Sequence, residues 1–240
     1  MSASTEWHTD QYTEANRSTI YLREFAARIL AEEEDPPSEV LEVGCGGGAK
    51  MLHLSELFPS AHWTGVDIAD EALEIGRERL DPEGFALVHG DLNELEQTFG
   101  PKHFDLSFSI MTLMSVEDYE RPVQQMLAVT KKWVFVLNLF SDSEVDAFVR
   151  IRGRMHGPHE GSSAHYNVYS LPRFEDFCRR HGATEIVAEP FEIDIDIPRP
   201  EHRGMGTWTE RLVDGRRLQF SGPLIMPWWL VAMRAPAAGS

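Results

Sequence analysis

The chain has 240 residues, of which 42% are hydrophobic and 25% are charged, and its formal net charge is −17. This length suits one α/β domain with a full core. The acidic balance argues against nucleic acid and anionic membranes as partners, because both attract clustered Lys and Arg. With only two cysteines and a polar, acidic start that lacks a signal-peptide pattern, the sequence predicts a cytoplasmic protein without a disulfide framework.

Strand-like and helix-like segments alternate in the first 140 residues, which predicts a mostly parallel sheet. The predicted helices cover 19–33, 50–58, 70–80 and 122–130. The predicted strands cover 40–43, 62–68, 85–91, 104–110 and 133–140. The last of these is almost wholly apolar, as expected of a strand that is buried on both faces.

The later residues follow a different pattern. They predict a helix, a histidine-rich loop, a helix capped by a serine, a half-exposed alternating strand, a two-residue hairpin turn and a final apolar strand. These features lie at 144–154, 155–169, 170–182, 190–198, 214–215 and 227–233, respectively. Antiparallel late strands of this kind are unusual for a simple dinucleotide-binding domain.

The glycine-rich stretch VLEVGCGGGAK fits two cofactor patterns. Gly44, Gly46 and Ala49 satisfy the dinucleotide fingerprint G-x-G-x-x-G/A. Glu42, Gly44, Gly46 and Gly48 satisfy the acid-x-G-x-G-x-G pattern of S-adenosylmethionine (SAM) enzymes. A dinucleotide would place its pyrophosphate at this turn, where Glu42 would not help to hold an anion. SAM carries a sulfonium and an α-ammonium group, and a carboxylate suits both. Glu42 therefore favours SAM.

Two further acids follow the next two predicted strands. Asp67 can bind ribose hydroxyls in either an NAD or a SAM site, so it does not discriminate between them. Asp91 can accept a hydrogen bond from the exocyclic amine of adenine, with Ile68 and Leu92 as apolar walls for the ring. Together with Glu42, these acids favour a cationic adenosyl cofactor.

Over residues 39–140 the sequence resembles the class I SAM-dependent methyltransferases. The resemblance implies a three-layer, Rossmann-like α/β fold with a mostly parallel seven-stranded sheet, an antiparallel last strand and, in this chain, an added late β-hairpin. It implies SAM as cofactor and S-adenosylhomocysteine (SAH) as product. The expected cofactor-binding residues are Glu42, Gly44, Cys45, Gly46, Gly48, Asp67, Ile68, Asp91, Leu92 and Ser109.

We expect residues 1–240 to form a single SAM-dependent methyltransferase domain. Within it, 1–38 would be an N-terminal helical lid, 39–140 the SAM-binding core, and 141–240 the substrate-side loops, late strands and hairpin.

The end of the fourth predicted strand, FSIMTLM, narrows the class of acceptor. It lacks the Asn/Asp-Pro-Pro-aromatic motif of amino-methylating nucleic-acid enzymes, a cysteine nucleophile, and an acid for the metal of catechol-type enzymes. The sequence therefore predicts methylation of an O or N atom of a small molecule, without a nucleic-acid or membrane partner.

A general base is predicted in the histidine-rich loop, because histidine exchanges protons near neutral pH. The candidate catalytic residues are His156, His159, His165 and Tyr166. Their spacing matches no common metal-ligand pattern, so no metal site is predicted. Two other functions remain open, namely an NAD(P)-dependent oxidoreductase that uses the same turn and a non-catalytic SAM-binding protein.

Overall fold

The computed structural model describes residues 11–153, 162–201 and 204–237. Its strands are β1 (Glu39–Val43), β2 (His62–Asp67), β3 (Phe85–His89), β4 (Phe104–Ile110), β5 (Thr130–Ser141), β6 (Arg150–Gly153), β7 (Ser162–His165), β8 (Tyr169–Ser170), β9 (Ile186–Pro190), β10 (Thr207–Arg211), β11 (Arg217–Ser221), β12 (Leu224–Ile225) and β13 (Trp228–Arg234). Its α-helices are α1 (Arg17–Leu30), α2 (Ala49–Leu54), α3 (Asp70–Arg77), α4 (Leu95–Phe99), α5 (Glu120–Val129) and α6 (Leu171–Arg180). Short 3-10 helices lie at Ser55–Leu57 and Leu113–Ser115.

The central sheet has the strand order β3-β2-β1-β4-β5-β13-β9, and β8 pairs with the end of β5. Strands β1 to β5 run parallel to one another, whereas β13 runs antiparallel to both β5 and β9. The predicted mostly parallel sheet with an antiparallel last strand is thus confirmed. Two small sheets, β10-β11-β12 and β6-β7, accompany it.

Helices cover both faces of the sheet because its inner strands alternate apolar side chains toward both sides. One buried cluster joins Phe108 of β4 to Phe25 of α1 and Met51 of α2. The other cluster joins Val136 of β5 to Met126 of α5 and helix α6. Burial of each large apolar side chain contributes roughly 1.5–3 kcal/mol. The three layers hold the carboxyl ends of β1 to β4 along one edge, which is where ligands bind in open α/β sheets.

Side-chain caps fix the starts of helices α1 and α6. Asn16 Oδ1 accepts the Thr19 amide at 2.9 Å before α1. Ser170 Oγ accepts the Arg173 amide at 3.3 Å before α6, with Pro172 in the first turn. The predicted serine cap is therefore confirmed, and each such cap contributes about 1 kcal/mol.

The helix predicted over 144–154 is wrong. Residues 150–153 instead form β6, which pairs with β7, and Ala147 makes a bridge to Val168. Asp146 accepts the Ser170 amide at 2.7 Å and so fixes this segment beside the start of α6. These partners are 9 or more positions away in sequence, and a local periodicity cannot contain them.

The alternating segment 190–198 is also not a continuous strand, because β9 ends where the segment begins. Its acids are exposed, as the alternation predicts, and two of them also bind cations from other elements. Asp194 accepts Arg17 Nε at 2.7 Å, and Asp196 accepts Arg217 Nε at 2.6 Å. Phe191, on the apolar side of the pattern, stacks on an aromatic ring of α1 with 5.2 Å between the centroids.

The late hairpin is confirmed as β10 and β11, but its turn is longer than two residues. Ladder pairing ends at Arg211 and Arg217, and the Leu212 amide donates to the Arg216 carbonyl at 2.8 Å. Gly215 has φ 89°, the left-handed region that glycine adopts without strain. A three-residue loop that closes through such a glycine is common in hairpins.

No helix in the described ranges is long and apolar enough to cross a membrane.

Candidate functional site

The glycine loop connects β1 to α2 and is anchored on β2. The amides of Gly44 and Cys45 both donate to the Val66 carbonyl, at 2.8 and 3.1 Å. Gly44, Gly46 and Gly48 have φ values of 71°, 55° and 77°. Residues with a Cβ adopt this region only with strain, so the loop needs glycine at each of these positions.

The surroundings of these glycines differ. A Cβ added to Gly44 would lie 2.3 Å from the Thr112 side chain, whereas one added to Gly46 would meet no heavy atom of the described residues within 4 Å. Gly46 therefore leaves open space in which a ligand can approach the backbone. Cys45 lies between them with its Sγ packed toward Gly65, and burial raises the pKa of its thiol. Cys45 is thus a packing residue rather than a nucleophile in this protein.

Glu42 is a buried carboxylate at the end of β1. It is only 1% exposed, and neither oxygen has a hydrogen-bond partner in the described part of the chain. Burial raises its pKa to about 7, although Lys50 and the backbone amide of Met51 oppose the rise. A buried carboxylate without a partner is unfavourable unless a cation or donor joins it. The arrangement therefore fits a cationic ligand.

Lys50 lies in the first turn of α2, on the same side of the sheet as Glu42. Its Nζ donates to the Ile110 carbonyl at the end of β4, at 3.4 Å. Burial lowers the pKa of Lys50, and the nearby Glu42 carboxylate opposes that change. Sequence reasoning missed this lysine because no motif marks it.

Asp67 has a role in the loop that the sequence did not reveal. Its Oδ2 accepts the Gly46 amide at 2.7 Å, and its Oδ1 accepts the Ala69 amide at 2.9 Å. The carboxylate thereby joins the end of β2 to the glycine loop. Ile68 beside it is 69% exposed. An aliphatic side chain that is this exposed at the ligand-binding edge fits a planar ring laid against it.

The loop after β3 lies next to Asp67, because the Gly90 amide donates to the Asp67 carbonyl at 3.0 Å. Asp91 Oδ1 accepts both the amide and the side-chain nitrogen of Asn93, each at 2.8 Å. Leu92 is half-buried against the α5 side of the core. The structure therefore brings Asp67, Ile68, Asp91 and Leu92 together at one edge.

The end of β4 lies beside the glycine loop. Ser109 is fully buried, and its Oγ has no hydrogen-bond partner among the described residues. Its neighbours Phe108 and Ile110 point into the α1 and α2 cluster, so Ser109 faces the opposite layer. Met111 has φ 62°, and its amide donates to the Leu137 carbonyl at 2.8 Å. A left-handed non-glycine residue is strained and is commonly found at functional sites.

The predicted catalytic residues are only partly described. His156 and His159 lie outside the described residues. His165 is the last residue of β7 and is half-buried. Tyr166 packs against the α1 and α2 cluster, and its hydroxyl shares a hydrogen bond with Ser221. Burial raises the pKa of Tyr166.

The chain before α1 lies against the outside of the glycine loop. The Tyr12 hydroxyl donates to the Gly47 carbonyl at 2.5 Å, and burial raises the pKa of Tyr12 to about 12. The Gln11 carbonyl lies 2.8 Å from His53 Nε2 of α2. Sequence reasoning placed this segment near the site but did not identify these partners.

Comparison with known proteins is consistent with this arrangement. Residues 40–133 match the family model of the methyltransferase domain. A fatty-acid O-methyltransferase of Mycolicibacterium smegmatis is 33% identical over 97 residues, which are 40% of this chain and 34% of that protein. A demethylmenaquinone methyltransferase of Listeria welshimeri is 32% identical over 98 residues, which are 39% of this chain and 41% of that protein. Each match thus spans less than half of the curated relative.

Solved structures match over more of the chain. A chain in the complex between the Haloferax volcanii Trm112 methyltransferase activator and a methyltransferase has a TM-score of 0.62 at 15% identity, with 98% of this chain and 96% of that chain covered. The 1,6-didemethyltoxoflavin-N1-methyltransferase of Burkholderia thailandensis, solved with SAH, has a TM-score of 0.54 at 15% identity, with 92% and 80% covered. At these identities the likeness concerns the fold. The family match covers the same residues that build the glycine loop and strands β1 to β4, so this part of the chain is similar to methyltransferase domains. The chain has the Rossmann-like fold of the SAM-dependent methyltransferases, and SAM is the cofactor that this fold holds in neighbours solved with SAH.

Proposed function

We propose that this protein transfers a methyl group from SAM to an oxygen or nitrogen atom of a small molecule in the cytoplasm. The observation that carries the proposal is the buried, unpartnered carboxylate of Glu42 beside the open backbone of Gly46. A buried carboxylate attracts a sulfonium or ammonium group and repels a pyrophosphate. This asymmetry favours SAM over a nicotinamide dinucleotide.

When bound, SAM supplies a methyl group on a positively charged sulfur. The residues that would hold it are Glu42 for the cationic end, Asp67 for the ribose, Asp91 for the adenine amine, and Ile68 and Leu92 for the faces of the adenine. The rest of the catalytic effect comes from alignment of the acceptor, which can contribute about 7–11 kcal/mol.

The acceptor site is proposed on the side of the sheet that carries α1, near the end of β4. Tyr166 supports this position, because it packs on the same cluster as Ile110 and Trp228. Burial raises its pKa, so Tyr166 stays protonated at neutral pH and suits hydrogen-bond donation better than proton abstraction. A base is needed only for an acceptor that arrives protonated, and His156, His159 and His165 remain the candidates for it.

The class of acceptor follows from charge and from the relatives. A net charge of −17 disfavours nucleic acid. The names of the matched curated relatives include a fatty-acid O-methyltransferase and a demethylmenaquinone methyltransferase, both of which indicate small, largely apolar acceptors. An apolar small molecule is the proposed class for this chain.

Titration calorimetry tests the cofactor part of the proposal. The protein is expected to bind SAM and SAH in the micromolar range or tighter and to bind NAD(H) and NADP(H) at least about 100-fold more weakly. Asp67→Asn should weaken SAH binding at least tenfold, while Glu74→Gln on the exposed face of α3 should leave it unchanged. Absence of SAM and SAH binding at high micromolar concentration would refute the proposal, and binding of a nicotinamide cofactor in their place would support the oxidoreductase.

A screen of acceptor compounds, followed by SAH release, tests the catalytic part. SAH formation that depends on an acceptor supports an enzyme, whereas cofactor binding without turnover on any acceptor supports the non-catalytic alternative. With an acceptor in hand, replacement of His156, His159 and His165 one at a time should identify the base. If none of the three lowers turnover, the assignment of a histidine base is wrong.

A further inference from the structure

Two side chains of opposite charge, the buried Glu42 and the partly buried Lys50, lie at the site without a hydrogen bond between them. Glu42 is 1% exposed, and its oxygens accept no hydrogen bond from Lys50 or from any other described residue. The Lys50 ammonium has one hydrogen-bond acceptor, the Ile110 carbonyl, at the long distance of 3.4 Å in the described part of the chain. Glu42 points to the face of β1 on which α2 packs, since Val40 on that face shares a cluster with Met51, and Lys50 lies in the first turn of α2. The two charges therefore lie in the same layer, and each influences the pKa of the other.

Such a pair is unfavourable in the free protein. An ammonium can donate three hydrogen bonds and a carboxylate can accept about four. Burial removes the water that would otherwise supply partners to Glu42 and limits the water that can reach Lys50. A direct contact would satisfy both groups, yet they do not make it. Two separated, unsatisfied opposite charges are complementary to a ligand that carries both charges on neighbouring atoms.

An α-amino acid is a ligand of this kind, because its ammonium and carboxylate groups are attached to one carbon. The amino-acid portion of SAM has both groups. Glu42 suits the ammonium group, as the sequence already indicated, but the residue that receives the carboxylate is not given by any motif. Lys50 is the cation that the fold places beside Glu42, at the carboxyl ends of β1 and β4.

We propose that Lys50 binds the α-carboxylate of SAM and thereby selects a cofactor with an intact amino-acid portion. The proposal rests on the proposed function, since it requires SAM as the ligand. The positive charge of Lys50 also favours the ionised form of Glu42 in the free protein. That form is the one that would bind the ammonium group of SAM. The other occupant that the chemistry allows is an anionic acceptor, and the test separates the two.

The test compares ligands that differ in one group. Decarboxylated SAM lacks only the α-carboxylate, and 5′-methylthioadenosine lacks the whole amino-acid portion. Affinities are measured by calorimetry for the wild type, Lys50→Met and the control Lys132→Met. Lys132 is suited to this control because it lies near the amino end of β5, whereas the site lies at the carboxyl ends of the strands. Its Nζ donates to the Asp35 carbonyl at 2.9 Å. Thermal unfolding and circular dichroism verify that each variant folds.

The wild type is expected to bind SAM at least about tenfold more tightly than decarboxylated SAM, the effect of one buried charge-assisted hydrogen bond. Lys50→Met should lose this preference and keep its affinity for 5′-methylthioadenosine, and Lys132→Met should match the wild type. A wild type without the preference refutes the proposal whether or not the variant folds. A preference that survives in Lys50→Met also refutes it and assigns Lys50 to the acceptor or to the scaffold.

Failure of the proposed function gives a different result. If none of the three adenosyl ligands binds the wild type, the SAM site itself is wrong. If SAM binds and the preference for the carboxylate is absent or independent of Lys50, only the assignment of Lys50 is wrong.

Discussion

Replacement of Glu42 by Gln should remove a large part of the pH dependence of stability in the cofactor-free protein. The pKa of Glu42 is raised by burial from 4.5 to about 7. An acid with a raised pKa in the folded state binds its proton more tightly there than when unfolded. The contribution of Glu42 to the free energy of unfolding is therefore fully present below pH 4.5 and is lost as the pH rises through about 7.

The interval between these two pKa values corresponds to roughly 3 kcal/mol of unfolding free energy. About 2 kcal/mol of it is lost between roughly pH 5.5 and 7.5, where a folded protein can be studied. In Glu42→Gln this contribution is absent at both pH values. The buried amide has its own unfavourable desolvation, but that term is the same at both pH values and cancels in the comparison.

Urea unfolding at the two pH values, followed by circular dichroism, measures the effect. The wild type should lose about 2 kcal/mol more than Glu42→Gln on going to the higher pH, and Glu74→Gln on the exposed face of α3 should behave as the wild type does. Equal pH dependence in the wild type and Glu42→Gln would show that Glu42 is not a buried, unpartnered acid.

Three further outcomes are expected. Gly48→Ala should lower the free energy of unfolding, measured in urea, by about 1–3 kcal/mol. The reason is that φ is 77° and the new methyl group would lie 2.7 Å from a leucine methyl group. A loss below about 0.5 kcal/mol would contradict this explanation. Tyr12→Phe should cost about 0.5–1.5 kcal/mol through the lost hydrogen bond to Gly47, and unchanged urea unfolding would argue against that bond. The thiols of Cys45 and Cys178 should react slowly with a disulfide reagent until denaturant is added, because burial raises both pKa values; fast reaction of the native protein would be inconsistent with their burial.

The first half of the fold could be predicted from the sequence because its information is local. Glycines, prolines and caps separate the apolar runs, and each strand from β1 to β5 starts and ends within three residues of its prediction. The segment 144–154 was wrong for the opposite reason. Its Val145 and Phe148 are 67% and 66% exposed, so an apolar periodicity suggested a buried helix face that the tertiary structure does not contain.

In the site, too, the residues set by local sequence could be predicted, whereas the partners set by the tertiary structure could not. Glu42, Asp67 and Asp91 end neighbouring parallel strands, and a parallel sheet brings such ends to one edge, so their proximity could be predicted. The partners Lys50 and Tyr12 could not, because their positions depend on where β4 ends and how the chain reaches α1. The lysine had one signal in the sequence, namely a positive charge in the first helical turn after the glycines.

The four glycines of the loop, Gly44, Gly46, Gly47 and Gly48, will not give equivalent results in mutagenesis. At Gly44, Gly47 and Gly48 a side chain would collide with Thr112, with Tyr12 and with a core leucine, respectively. Loss of activity at these three positions therefore reports misfolding of the scaffold before it reports loss of cofactor. At Gly46 no described residue occupies the space, so a side chain there would meet only the strain of the left-handed φ of 55°. Experiments that aim to measure contact between this loop and the cofactor should begin at that residue.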